Sequence, residues 1–408
     1  ALAFWINWQF VAPRLRSDSE SHRSVTIPGT LAASASPSVR RAIRVFGAMV
    51  ILVMLTTYVS AQFTAAGKAF QETFGLNYQL SVLLSAMIVV GYTLLGGFRA
   101  VAWTDVAQAT LMVVAVVVLP LVMLYQVGGP FQAITLLREL EPVTMQVGEQ
   151  SVELAGGASM MSLVGGNAGW ALLGFLSVWL GIPLGNFGQP HMLVRIMATR
   201  DDAAIARAKV ISTVWVIILF SGAIAIGLLA RIMFGETVGD PEKALPYSAV
   251  QLLPAPLAGL MLAAIVAAMC STADSQLLVA GSGFSLDLRN SREDQRRNAG
   301  WINRALVLAL AIIATILAAA ESKAVFSLVL YAWDGLGAAF GPVLLLKLFW
   351  KRTTGPGILA GMVCGFVVAI VWRETLHAQL YSLIPAFVAA LVTATVVSLA
   401  YPAKSTEV

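Results

Sequence analysis

The sequence predicts an all-α polytopic membrane protein, and three observations carry that reading. Of 408 residues, 58% are apolar and only 12% are charged, with a mean hydropathy of +0.82. A soluble chain of ordinary composition holds about 25% charged residues. Apolar runs near the length that crosses hydrocarbon, about 20 residues, recur from end to end. Lys and Arg collect in alternate connections between those runs, the signature of a chain threaded back and forth through a bilayer.

The opening segment 1–13, ALAFWINWQFVAP, is apolar but too short to cross; it lacks an initiating Met and is followed by Arg14 and Arg16. A signal peptide carries its positive charge ahead of the apolar run. The segment is therefore expected to be the tail of a crossing whose beginning is absent, in a chain truncated at its N-terminus. Crossings follow at about 41–64, 78–97, 101–127, 161–190, 207–234, 249–283, 302–320, 325–349, 355–372 and 379–401, within a single transmembrane domain over 1–408. The connections 14–40, with Ser and Pro signals, and 128–160, opened by Gly128, Gly129 and Pro130, read as loops.

Charge orients these crossings. Arg14, Arg16, Arg23, Arg40, Arg41 and Arg44 crowd the first loop, Arg99 marks the third, and Arg195, Arg200, Arg207 and Lys209 the fifth. Arg289, Arg292, Arg296, Arg297 and Arg304 fill the seventh, with Lys347, Lys351 and Arg352 in the ninth. Even loops are acidic instead, with Glu139, Glu141, Glu149 and Glu153 in one and Glu236, Asp240 and Glu242 in another. Odd loops are thus expected to be cytoplasmic. One missed crossing would invert everything after it, so the alternation supports the count.

The same dispersion of charge argues against nucleic acid as a partner, although the net charge is +5 and the pI near 9.3. Cys270 and Cys364 both lie inside apolar runs and form no framework of paired thiols. Three His, no HExxH, no phosphate-binding GxxxxGK[ST] and no nucleophile with a partner base argue against an enzyme.

Polar residues inside the apolar runs carry the chemistry. In AAIVAAMCSTADSQLLVAG, Ala268, Ser271, Thr272 and Ser275 follow the i, i+3, i+4, i+7 pattern and share one helical face, with Asp274 beside them. A small hard cation takes oxygen ligands, and an acid inside a crossing turns to a bundle interior or an ion path. Packing glue between helices is the bland alternative. The 161–190 run ends in GIPLGNFGQPH, where Gly181, Pro183, Gly185, Gly188 and Pro190 should unwind the helix. Interrupted helices of this kind hold substrate and ions in secondary transporters, and Asn186, Gln189 and His191 place polar groups at the same break. Asp105 begins the third full crossing, where capping by the macrodipole is the rival reading. Asp334, in YAWDGLGAAFGP beside Tyr331 and Trp333, reads either as a ligand contact or as half of a buried ion pair.

The strings YTLLGGFRAVAWTDVAQ, NFGQPH, STADSQLLV and YAWDGLGAAFGPV resemble the sodium/solute symporters, most closely their bacterial sodium/proline symporter branch, in order and over essentially the whole chain. The resemblance implies a LeuT-like core of two inverted five-helix repeats in the bacterial cytoplasmic membrane. On that mapping 1–13 is the tail of the second core helix and the first is absent, so this piece alone should not transport. It further implies a sodium site from Ala268, Ser271 and Thr272, and a second cation site from Asp105, Asp274 and Ser275. The family pattern departs here at Ile182, Asn186, Asp274 and Asp334. Expected substrate contacts are Gln62, Tyr92, Asn186, Gln189, Tyr331, Trp333 and Asp334. The implied activity is import of a small organic solute, such as the amino acid proline, driven by Na+ through alternating access. A proton-coupled transporter of the same fold and a symporter-like sensor module are the alternatives.

Overall fold

In the computed structural model, residues 1–96, 98–147, 150–162, 164–288, 295–320, 324–376 and 380–402 are described. In chain order they form α1 (Leu2–Ile6), a π-turn (Asn7–Val11), α2 (Ala12–Ser21), α3 (Ile27–Ala32), α4 (Pro37–Phe74), α5 (Tyr78–Gly96), α6 (Phe98–Val127) and α7 (Pro130–Arg138). An antiparallel hairpin of β1 (Val143–Val147) and β2 (Gln150–Leu154) precedes α8 (Gly157–Met160) and α9 (Gly169–Gly185). After a 3₁₀ turn (Asn186–Gly188) come α10 (Pro190–Met197), α11 (Asp202–Phe234), two 3₁₀ turns (Gly235–Val238 and Pro241–Lys243), α12 (Ala244–Leu252) and α13 (Ala255–Gly283). A π-turn (Phe284–Leu288), α14 (Gln295–Ala320), α15 (Val325–Phe349), α16 (Gly355–Leu376) and α17 (Leu383–Ala400) complete the chain. Among the described residues, nine helices are long and apolar enough to cross a membrane, and Tyr78–Gly91 of α5 is a shorter apolar helix.

Local chemistry sets the helix ends. Thr26 accepts a hydrogen bond from the Gly29 amide at 3.0 Å and caps α3, and Asp201 accepts from the Ala204 amide at 2.7 Å and caps α11. Each such cap stabilises its helix by about 1 kcal/mol. Pro37 opens α4, and Gly75 closes it in the left-handed region at φ 65°, where a side chain would be strained.

Two connections expected to be loops hold structure of their own. Helix runs on from α1 through the π-turn to Ser21, past Arg14 and Arg16, and α3 follows. In 128–160, α7 and the hairpin intervene; Val143, Met145 and Val147 alternate with Thr144 and Gln146 over five residues, a period-two pattern too short to stand out against long apolar runs.

α4 is the central rod, in contact with α5, α13, α14, α15 and α16. Its Ile43, Ile51, Leu55, Val59 and Phe63 are all fully buried. α15 lies deepest among the crossings, with 78% of its most apolar stretch enclosed. At the other end of α13, Asp287 accepts from Arg44 Nε at 2.8 Å and from Thr26 Oγ1 at 3.1 Å, joining α3, α4 and the π-turn. Arg16 likewise donates to the Thr199 and Arg200 carbonyls at 2.9 and 2.8 Å. Arginines that mark a loop in the sequence are therefore also struts between elements.

Candidate ion and substrate site

A cavity of about 420 Å³ opens where α1, α4, α10, α11, α13 and α15 meet. Ser271, Thr272 and Ser275 of α13 line it, facing Asn7 and Trp8 of the π-turn, Tyr58 of α4, Trp215 of α11 and Trp333 of α15. Three hydroxyls of the face read from the sequence, Ser271, Thr272 and Ser275, therefore open on a half-open cavity between helices. Ser271 Oγ and Thr272 Oγ1 each donate to the Ala268 carbonyl at 3.0 Å, so three hard oxygens converge on one point. Hydroxyl protons rotate freely, and both oxygens can turn lone pairs outward. This donor set fits a small monovalent cation, and no cluster of His, Cys, Asp or Glu suited to a transition metal occurs among the described residues.

The broken crossing faces the same region. α9 stops at Gly185, Asn186–Gly188 turn as 3₁₀ helix, and Gln189 is extended at φ −87°, ψ 103° before Pro190 opens α10. Close packing explains part of this glycine density: a Cβ on Gly188 would lie 2.7 Å from the Gly337 Cα and the Leu336 carbonyl oxygen. Backbone thus rests on backbone between the turn and α15. Asn7 Nδ2 donates to the Asn186 carbonyl at 3.5 Å and Asn186 Nδ2 to the Ala3 carbonyl at 3.5 Å. Gln189 Nε2 donates to the Gly185 and Trp333 carbonyls at 3.3 and 3.4 Å. Asn7 Oδ1, Asn186 Oδ1 and Gln189 Oε1 remain buried with no hydrogen-bond partner among the described residues. Buried acceptors left without donors carry a desolvation cost of about 1–3 kcal/mol each, which a ligand bearing N–H donors relieves.

The structure separates the expected contacts. Trp333 lines the cavity and donates from Nε1 to the Ile182 carbonyl at 2.8 Å. Asn186 and Gln189 lie fully buried at the break, just behind its wall. Gln62 sits half-buried on α4, one turn beyond Tyr58 and outside the lining. The side chain of Tyr92 lies outside the described residues. Asp334 takes the other of its two readings: Arg373 Nη1 lies at 3.2 Å and Ser382 Oγ donates at 2.5 Å, with Arg373 also stacked over Tyr331 at 5.2 Å. Asp334 and Tyr331 thus join α15 to α16 and α17 and do not line the cavity.

Of the second cation group, Ser275 lines the cavity, whereas Asp274 is fully buried and lines none of it. Asp274 instead accepts from Ser275 Oγ at 3.1 Å. Asp105 of α6 lies across from Ser275, with the Arg195 guanidinium between them, bonded to both.

Several residues of the site escaped the sequence reading. Asn7 is a polar residue in an apolar run, the signal that marked Ser271, but the segment looked too short to matter. Tyr58, edge-on to His191 at 5.9 Å, is indistinguishable in sequence from an aromatic packed in a core. Arg195 stood only as one more loop charge, although it lies one turn after His191 on the same helix.

A hydroxyl-lined helix face beside an interrupted crossing in a helical membrane bundle is the kind of place where secondary transporters hold substrate and ions. Comparison with known proteins agrees: residues 1–365 match the model of the sodium:solute symporter family. The high-affinity proline transporter PutP of Bacillus subtilis is 36% identical over 100% of this chain and 83% of its own length. The sodium/proline symporter of Escherichia coli is 34% identical over 95% of this chain and 75% of its own. Among solved structures, a Na+-coupled sialic acid symporter in a substrate-bound outward-open state superposes with a TM-score of 0.73 at 19% identity, covering 99% of this chain and 83% of that one. The chain belongs to the sodium:solute symporter family, is an integral membrane protein, and has the LeuT-like all-α fold expected from its sequence.

Proposed function

We propose that this protein imports a small zwitterionic amino acid, proline or a close relative, into a bacterial cell across the cytoplasmic membrane, coupled to sodium at Ala268, Ser271 and Thr272. The observation that carries the reading is that Ser271 and Thr272, both bonded to the Ala268 carbonyl, line a cavity shared with Asn7, Tyr58 and Trp333. A cation held there places positive charge beside a solute carboxylate, while the buried acceptors Asn7 Oδ1, Asn186 Oδ1 and Gln189 Oε1 suit the N–H donors of an ammonium. The names of the relatives support an amino acid, and proline among them.

Joint occupancy of both sites then favours closure, because each ligand contributes differential affinity for one state of the alternating-access cycle. Transport, not catalysis, is the role these residues fit, with lipid around the bundle, no nucleic-acid partner and odd-numbered loops in the cytoplasm. The test is uptake of a panel of labelled amino acids, carboxylates and sugars by proteoliposomes bearing the full-length protein, with and without an inward sodium gradient. Proline uptake that needs sodium is expected. Uptake that persists without sodium and follows a pH gradient would replace this reading with proton coupling.

A further inference from the structure

Arg195 stands where the family resemblance implies a second cation. From α10 its Nη2 reaches Asp105 Oδ2 of α6 at 2.6 Å and also bonds Ser275 Oγ of α13. One guanidinium thereby joins three helices. It is also a partition: Arg195, His191 and Ser275 line the central cavity and, equally, a second cavity of about 400 Å³ bounded by Val101, Asp105 and Leu278. The group is not locked in a core, because its side chain is 43% exposed against 14% for Asp105.

A carboxylate, a hydroxyl and the nearby Ser271 carbonyl, which lies 2.7 Å from Ser275 Oγ, are hard oxygen donors of the kind an alkali cation takes. The guanidinium brings its positive charge to the same oxygens through charge-assisted hydrogen bonds. Two like unit charges brought to the same few oxygens repel strongly in a partly desolvated site. A guanidinium and a sodium ion therefore exclude each other here.

We propose that Arg195 is a tethered cation that fills the Asp105–Ser275 position, so that one diffusible sodium, held at Ala268, Ser271 and Thr272, accompanies each solute. The proposal rests on the sodium-coupled reading above. Asp105 Oδ1 is buried with no hydrogen-bond partner among the described residues. Taking away the guanidinium thus leaves a carboxylate with both oxygens and a hydroxyl facing a cavity, a ready site for a second ion.

The experiment measures radiolabelled sodium and proline fluxes together in proteoliposomes carrying the full-length protein. The unmodified protein is expected to move about one sodium per solute with a Hill coefficient for sodium near one, the ceiling for a single site. Arg195→Gln should raise both values toward about two, adding Asp105→Asn should return them to about one, and Arg195→Lys should leave them there. Should Arg195→Gln transport nothing, equilibrium binding of radiolabelled sodium to the purified proteins replaces flux, with the variant expected to bind twice as many ions. An unmodified protein that couples two sodium ions, or an Arg195→Gln protein whose binding stoichiometry is unchanged, overturns the proposal. Uptake by the unmodified protein that ignores sodium overturns the symport reading beneath it.

Discussion

In the proposed sodium site, Ser271 and Thr272 matter less as hydrogen-bond donors than as oxygens that can be redirected. Each donates to the Ala268 carbonyl at 3.0 Å in the same turn, a back-bond that contributes little to helix stability and is readily exchanged for a cation. Ser271→Ala or Thr272→Ala should therefore leave the fold intact while removing one ligand of a small set. The half-saturating sodium concentration for uptake is expected to rise about tenfold or more, equivalent to about 1.4 kcal/mol. Solute affinity at saturating sodium should change much less. Sodium-activation curves for the two variants, taken beside solute-saturation curves, measure both quantities, and unchanged sodium dependence would remove the site from these residues. Spacing marks this group, because three small polar residues on one face of an apolar helix, with an acid beside them, have few uses. Asp334 was less legible: a buried acid has the same sequence signature whether it meets a substrate or an arginine. Its partner Arg373 lies 39 residues away on another helix, and no local pattern connects them.

At the scale of elements, the interrupted crossing is held by contact rather than by hydrogen bonds alone. Gly188 lies so near Gly337 and the Leu336 carbonyl that a methyl group there would sit 2.7 Å from main-chain atoms of α15. Main chain cannot yield as a side chain does, so Gly188→Ala should push the 3₁₀ turn away from α15 at a cost of about 1–3 kcal/mol. The expected outcome is a lowered melting temperature in detergent together with loss of uptake. Gly259→Ala, at an exposed glycine of α13 whose Cβ would meet nothing within 4 Å, serves as the control and should preserve both. The sequence marked this break by its glycines and prolines and suggested that they free backbone for a ligand. The geometry adds that Gly188 and Gly337 let two elements touch, a pairing across 149 positions that one sequence cannot display. The hairpin β1–β2 and α7 were hidden for a different reason, since short patterned segments are swamped beside long apolar ones.

For the whole molecule, the charge carried per cycle follows from what moves. On the proposed reading, a zwitterionic solute contributes no net charge, Arg195 remains tethered, and a sodium at Ala268, Ser271 and Thr272 supplies one. An inside-negative potential of 100 mV should then add about 2.3 kcal/mol to the driving force, a limit near fifty-fold in accumulation at a fixed sodium gradient. Proteoliposomes clamped at a series of potassium diffusion potentials measure this, and a voltage dependence twice as steep would reveal a second moving charge. The membrane class was legible because hydrocarbon forces long apolar runs on a chain that crosses it.

The short connection after α11 has one further effect. Glu242 accepts from Lys68 of α4 at 2.6 Å and from the first two amides of α15, Val325 and Phe326, at 2.9 and 3.0 Å, while Asp240 takes the same ammonium at 2.7 Å. A single carboxylate therefore clasps the ends of the two rods that flank the cavity. Any rocking of α15 away from α4 must tear this clasp and bare an ammonium, two acids and a helix terminus together. Solvent must be ready at that rim to receive them, and because the three side chains are only 11–19% exposed, added salt should loosen the closed strap little.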